Sequence, residues 1–122
     1  MAATYAQRRA LGDFGERLAA RELERLGLQV LDRNWRCAQG EVDIVARHGE
    51  VLVVCEVKTR RGDRYGSALQ AITEVKAERL HRLGLAWCEA RERRFATVRV
   101  DVVTVLLARR AAPVLTHYAG LA

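Results

Sequence analysis

Asp43 is followed, after a gap of twelve residues, by Glu56-Val57-Lys58, and Glu41 adds a third carboxylate just upstream. Carboxylates gathered in a partly buried cleft raise one another's pKa or demand a cation. Oxygen-only ligands of this kind suit Mg2+ or Mn2+, and no imidazole or thiolate stands in ligand register for zinc. A lysine two residues past a strand glutamate points the same way as the glutamate. Its ammonium can orient a water and stabilise charge developing on a phosphoryl group. Together these are the parts that phosphodiester hydrolysis requires. Of the 21 basic residues 19 are Arg, and Lys58 and Lys76 are the two lysines. Against that background a lysine marks a place where a compact ammonium is needed and a planar guanidinium does not serve.

A hairpin can bring these groups together. The stretch 41–47 alternates loosely, 50–59 is rich in β-branched residues, and His48-Gly49 has the length and the glycine of a tight turn. With those two as turn residues, Glu41 faces Glu56 and Asp43 faces Val54. Glu41, Asp43, Val45 and Arg47 then share one face with Leu52, Val54, Glu56 and Lys58. Val42, Ile44, Val51, Val53, Cys55 and Val57 form an apolar opposite face made for the core. The remaining elements follow from periodicity. Residues 4–26 read as a helix, with Leu11, Phe14, Leu18 and Leu26 at helical spacing and Gly27 as its stop. Gly12 and Gly15 leave open a start nearer Asp13. Residues 29–37 are extended, and 60–66 form a polar loop. Residues 68–90 are helical with Leu80, Leu83 and Trp87 on a common face. Thr73 as an internal N-cap allows a short helix followed by a longer one. Residues 97–107 form a strand, and 114–118 a last, short one. The order α-β-β-β-α-β, with that final β, predicts an α/β fold with a mixed sheet flanked by helices.

A chain of 122 residues forms one domain over 1–122. Its net charge of +6 and pI near 9.9 favour nucleic acid or an anionic membrane surface as partner. No apolar run approaches the ~18 residues of a membrane span, and charged residues follow 1–9 where a signal core would stand. Cys37, Cys55 and Cys88 have no C-x-x-C spacing, so reduced thiols in a cytoplasm are expected. The arginine clusters are Arg8-Arg9, Arg60-Arg61 with Arg64, and Arg91 with Arg93-Arg94. The middle cluster follows directly on the Glu56–Lys58 strand, where phosphates would arrive. Asp101 lies in an otherwise apolar strand and is expected to have a structural partner. Trp35 and Trp87 are read as core residues, and His48, His81 and His117 as surface or satisfied positions.

The D…ExK pattern resembles the PD-(D/E)xK motif of the restriction-endonuclease-like nucleases, with Val42 in place of the motif's proline. The strings GDFGERLAARELERLG, NWRCAQGEVDIVARHGEVLVVCEVKTR and VRVDVV resemble the bacterial YraN-like family along nearly the whole chain. That family is grouped with the same superfamily and is similar in layout to Holliday-junction resolvases. The resemblance implies a restriction-endonuclease-like core. It makes Asp43 and Glu56 ligands of Mg2+ or Mn2+, with the Val57 carbonyl as a further ligand, and gives Lys58 the attacking water. Glu16 matches an extra acidic residue that resolvase-like members place near the metal. Glu41 matches an acidic position, Lys76 a basic one suited to phosphate, and Gln70 a supporting one. The implied activity is metal-dependent hydrolysis of nucleic acid, DNA ahead of RNA, with branched or structured DNA among its substrates. The implied partners include a second copy of the chain, since symmetric cutting of two strands needs two sites, and no membrane. Two readings from other classes stay open: a nucleic-acid-binding module that does not cut, and a protein-interaction domain whose basic surface meets an acidic partner.

Overall fold

The first helix, α1 (Tyr5–Arg25), starts early because its cap is complete. In the computed structural model, which describes residues 4–61 and 73–121, Thr4 Oγ1 accepts the Gln7 N–H at 3.1 Å and Gln7 Oε1 accepts the Thr4 N–H at 2.8 Å. This capping box satisfies two N–H groups that a helix start leaves open, and of the two expected starts it selects the earlier. At the other end Leu28 N–H reaches the Leu23 carbonyl at 2.9 Å and Gly27 N–H reaches that of Glu24 at 3.0 Å, the paired bonds that close a helix on a glycine. In mid-helix, a Cβ on Gly15 would come within 1.8 Å of Thr59 Oγ1. The glycine lets the helix backbone lie directly against a strand.

The strands are β1 (Gln29–Cys37), β2 (Gly40–His48), β3 (Val51–Arg61), β4 (Thr97–Leu107) and β5 (Val114–Tyr118), with α2 (Glu74–Arg91) between β3 and β4. They form one mixed sheet in chain order. Neighbours are antiparallel except β3 and β4, which run parallel and therefore need a crossover, to which α2 belongs. Thr73 caps α2, accepting the Lys76 N–H at 3.2 Å. The architecture is the expected α/β one, a mixed sheet flanked by helices, and β5 completes the order α-β-β-β-α-β-β. Among the described residues no helix is long and apolar enough to cross a membrane. Arg64, Gln70 and the expected helical residues 68–72 lie outside the described residues.

Three expectations need correction. Arg60 and Arg61 are strand residues and not part of a loop, because β4 is long enough to pair every residue of β3, ending at Arg60–Leu106 and Arg61–Leu107. The β2–β3 turn is Gly49-Glu50, closed by the His48–Val51 pair. Gly49 has φ +63°, and the first central position of a two-residue hairpin turn is where a type II′ turn requires a positive φ. The two-residue slip is even, so it keeps the paired residues 44–48 and 51–55 on their predicted faces while moving Asp43 toward Glu56. Finally, both faces of the sheet are core. Ala19, Ala20 and Leu23 of α1 pack with Ile44, Ala46, Val53, Cys55, Val103 and Val105. Leu80, Leu83 and Trp87 of α2 pack on the other face with Val42, Val45, Leu52, Val54, Val98 and Val100. Val42 and Ile44 therefore point to opposite faces, and the alternation of β2 breaks at the residue between them, Asp43.

Gly84 lets α2 approach the sheet. A Cβ there would meet Val54 Cγ2 at 2.6 Å and Val98 Cγ1 at 2.7 Å. Both valines are stiff at χ1 and packed in the core. Gly84→Ala is expected to destabilise the fold by about 1–3 kcal/mol through overpacking, read as a lower urea midpoint at unchanged m-value.

Candidate active site

The break at Asp43 opens the sheet. The last β2–β3 pair is Ile44–Cys55. Beyond it β2 continues against β1 alone, through Trp35–Val42, Arg36–Glu41 and Cys37–Gly40, while β3 continues against β4. Asp43 stands in this fork and spans it: its Oδ2 accepts the Val57 N–H at 2.8 Å. Glu56 and Lys58 follow on the α2 side of β3. Lys76, from the first turn of α2, reaches the same place.

The two lysines of the chain thus meet at one carboxylate. Lys76 Nζ lies 3.0 Å from Glu56 Oε2 and Lys58 Nζ lies 3.8 Å from Oε1. Glu56 Oε2 is cut off from solvent, and the Lys76 ammonium meets it there. A buried carboxylate is costly unless it is paired, and the two ammoniums supply that pairing. The charges are tuned accordingly. Burial, with smaller contributions from Glu56 and Glu41, pushes Asp43 up to about 6 against the opposing Val57 hydrogen bond and the Lys58 charge. Burial, then contact with Lys76, holds Lys58 below the usual lysine range despite Glu56. Burial also works against the charge of Lys76, but its contacts with Lys58 and Glu56 outweigh it and raise that lysine.

Glu16 approaches Asp43 from the α1 side and is buried. Its pKa is raised to about 7, by burial first and then by Asp43, with Arg33 opposing. Asn34 holds it. This residue sits on β1 between the Arg33–Ile44 and Trp35–Val42 pairs, with φ +52°. With its amide oriented so that both ends are satisfied, Asn34 Nδ2 donates to Glu16 Oε1 at 2.8 Å and to Oε2 at 3.2 Å. Sequence reasoning missed Asn34. The available signal was an asparagine inside a strand-like run, since Asn is one of the few residues that adopt a positive φ readily.

An open cleft of about 560 Å3 leads to Glu16 and Asp43, with arginines on its walls. A larger one of about 900 Å3, beside Phe14, Arg61, Leu107 and Pro113, has no acidic lining residue among the described residues. Of the residues singled out from sequence, Asp43, Glu56, Lys58 and Lys76 come together, with the Val57 backbone braced between the first two. Glu16 joins them from the opposite face. Glu41 does not face Glu56: it pairs with Arg36 across β1 and β2 at 3.3 Å, and both side chains are exposed. Arg60 and Arg61 are exposed at the end of β3. Asp101 binds Arg99 and His117. Trp87 is buried and donates to Asp32 at 3.0 Å, and Arg91 and Arg93 stack on its ring.

The donor set fits a hard divalent cation. It offers the half-buried carboxylates of Asp43 and Glu56, and the fork places the Val57 peptide beside them. Among the described residues no three His, Cys, Asp or Glu side chains gather as a metal cage. Mg2+ is commonly held by one or two carboxylates, with waters and substrate phosphate completing its shell.

The elevated Glu16 carries a consequence for stability. The native state keeps this proton up to about pH 7, whereas the unfolded chain releases it near 4.5. Between those values the native state binds more protons, so stability falls as pH rises. Metal-free Glu16→Gln is expected to lose that decline and to exceed wild type above pH 7 by on the order of 2 kcal/mol. Urea unfolding at pH 5 and pH 8 measures it.

The sequence profile described as "Uncharacterised protein family UPF0102" matches residues 15–105. A UPF0102 protein of Streptomyces coelicolor is 53% identical over 117 residues, covering 94% of this chain and 90% of that protein. One of a Nocardioides species is 46% identical over 119 residues, covering 98% and 96%. Among solved structures, the Holliday junction resolvase Hjc of Archaeoglobus fulgidus is similar with a TM-score of 0.40 and 21% identity, over 86% of this chain and 75% of that one.

Proposed function

We propose a function for a chain that belongs to the UPF0102 family: metal-dependent hydrolysis of phosphodiester bonds in DNA, with branched or otherwise structured DNA as the substrate class. The observation that carries this reading is the fork. Asp43 braces the Val57 peptide, Glu56 has an oxygen cut off from solvent beside it, and both lysines of the chain converge on that carboxylate. A pure binding surface has no use for carboxylates facing phosphate.

Asp43 and Glu56 would hold Mg2+ or Mn2+, with the Val57 carbonyl as a further oxygen. Bound there, the ion would supply Lewis-acid charge and a water of lowered pKa. The chain's own groups do the rest. Lys58, partly desolvated, orients the attacking water at its Nζ and offers its charge to the reacting phosphoryl group. Lys76, raised and charged, faces the negative charge that develops on the phosphoryl oxygens. Glu16, held by Asn34, carries a proton near neutral pH on the far side of Asp43. Arg60, Arg61 and Arg64 meet the flanking phosphates. Two copies of the chain would give two sites for symmetric cutting.

The test is cleavage of a labelled panel, with single strands, duplex, flaps and four-way junctions in DNA and RNA, in Mg2+ or Mn2+. Wild type is run beside Asp43→Ala and Lys58→Ala, purified identically. Cutting that both substitutions abolish supports the reading and names the substrate. Cutting that survives both removes it. One observation favours a second reading, a binding module that does not cut: Lys76 stands at the Glu56 oxygen a metal would use. That reading predicts no carboxylate-dependent Mn2+ binding by calorimetry. Replacing Arg60, Arg61 and Arg64 by Gln is expected to weaken DNA binding and to flatten its salt dependence. The logarithmic slope should fall by about 0.9 for each phosphate that is no longer neutralised. An unchanged slope in a salt titration means that the DNA phosphates are met elsewhere on the surface.

A further inference from the structure

The first half of α1 breaks three local rules on one face. Its first turn has no acidic residue, and Arg9 follows directly on it, although the positive end of a helix favours acidic side chains. Gly12 lies inside the helix, where glycine is less stable than alanine, yet a Cβ there would meet nothing within 4 Å among the described residues, so packing against them does not require it. Tyr5 is 70% exposed. All of these residues line the same cleft, which ends at Glu16 and Asp43 and has Arg36 on its opposite wall. Tyr5 and Glu16 are eleven residues apart on the helix, or about 16 Å along its axis. Local rules broken together without structural gain mark a functional surface.

We propose that this face of α1 is a track for an unpaired nucleic-acid strand leading away from the active site, with a base stacked on Tyr5 and the backbone passing over Gly12. The proposal rests on the nuclease reading only for its direction, from Asp43 outward. The chemistry of the track is that of single-strand binding: an aromatic platform for a base, which every base can use, beside cations for the backbone. Arg9 supplies charge on the helix wall and the helix N-terminus adds its own positive end, while Arg36 on the opposite wall is paired with Glu41, and Asp13 also lines the cleft. The bare Gly12 gives the width that a sugar-phosphate backbone needs. A rigid duplex cannot lay its bases on Tyr5, so the track selects substrates with an unpaired arm beside the cut.

The test is fluorescence anisotropy in EDTA, where no cutting occurs, with a labelled single strand, a blunt duplex and a duplex carrying a single-stranded overhang. Tyr5→Ala is expected to weaken binding of the strand and the overhang about tenfold and to leave the blunt duplex unchanged, while Tyr5→Phe retains wild-type binding. Gly12→Gln is expected to raise the thermal midpoint and yet lower single-strand affinity, a combination that a damaged fold does not produce. Single-strand binding that is absent in wild type, or indifferent to both Tyr5→Ala and Gly12→Gln, overturns the track. Cleavage of the overhang substrate in Mn2+ is measured in parallel. Tyr5-dependent binding without any cleavage keeps the track and removes the nuclease reading, and cleavage indifferent to Tyr5 does the reverse.

Discussion

Glu56→Gln is expected to lower metal-dependent cleavage by about three orders of magnitude while the protein stays folded. The substitution keeps the shape of the side chain and removes its charge. A catalytic metal supplies several kcal/mol of transition-state stabilisation, and each 1.36 kcal/mol is tenfold in rate, so losing its anchor removes about 10^3. The fold should tolerate the change, because the brace across the fork is made by Asp43 and the glutamine amide keeps an oxygen that Lys76 can reach. Asp43→Asn is the matched control: its amide oxygen can still accept the Val57 N–H, so it separates charge from brace. Single-turnover cleavage, Mn2+ titration by calorimetry and circular dichroism on the same preparations make the comparison. Full activity in Glu56→Gln would sink the proposed ligand set. Loss of the native dichroism would mean that Glu56 supports the fold and not the metal.

The second large effect is on stability. Asp101 is fully buried in the middle of β4, on the face covered by α1. Its two oxygens accept a fork of bonds from Arg99 at 2.9 Å each and the Gly120 N–H at 3.0 Å, and His117 Nε2 lies 2.7 Å away. This one carboxylate ties β4 to β5 and to the segment that follows β5. Asp101→Ala removes the partner of a half-buried guanidinium and leaves the Gly120 N–H and the half-buried His117 imidazole without this acceptor. Breaking a buried ion pair from one side costs about 3–5 kcal/mol, a large share of the roughly 5–15 kcal/mol that holds a domain of this kind. Asp101→Asn keeps one acceptor oxygen and should lose less. Urea unfolding gives both values, and cleavage by Asp101→Asn under conditions where it is folded should match wild type. A selective loss of cleavage with normal stability would place Asp101 in the site and contradict the structural reading.

The clustering of the site is legible in the sequence to a degree that single residues explain. Lys58 and Lys76 stand out only because every other basic residue is arginine, and they converge on Glu56 although eighteen positions separate them along the chain. Alternation places Asp43 and Glu56 at one end of a hairpin, and the two-residue shift in register does not disturb that end. Face parity is blind to an even slip, and the turn decides the register through the positive φ of Gly49. The expectation that all the acidic groups share one face fails at Asp43, where the strand alternation breaks.

Composition, periodicity and capping residues determine the elements, their order and the α/β class, because each depends on neighbours within a turn or a strand. Thr4, Gly27 and Thr73 bound their helices through bonds only three to five residues long. The tertiary structure alone decides what the elements do together. It covers both faces of the sheet, opens the fork at Asp43, turns Asn34 onto Glu16 and delivers Lys76 through the β3–β4 crossover. Those outcomes depend on contacts between segments far apart in the chain, where the energy lies in packing and in desolvated charge, and no local pattern of residue types encodes them.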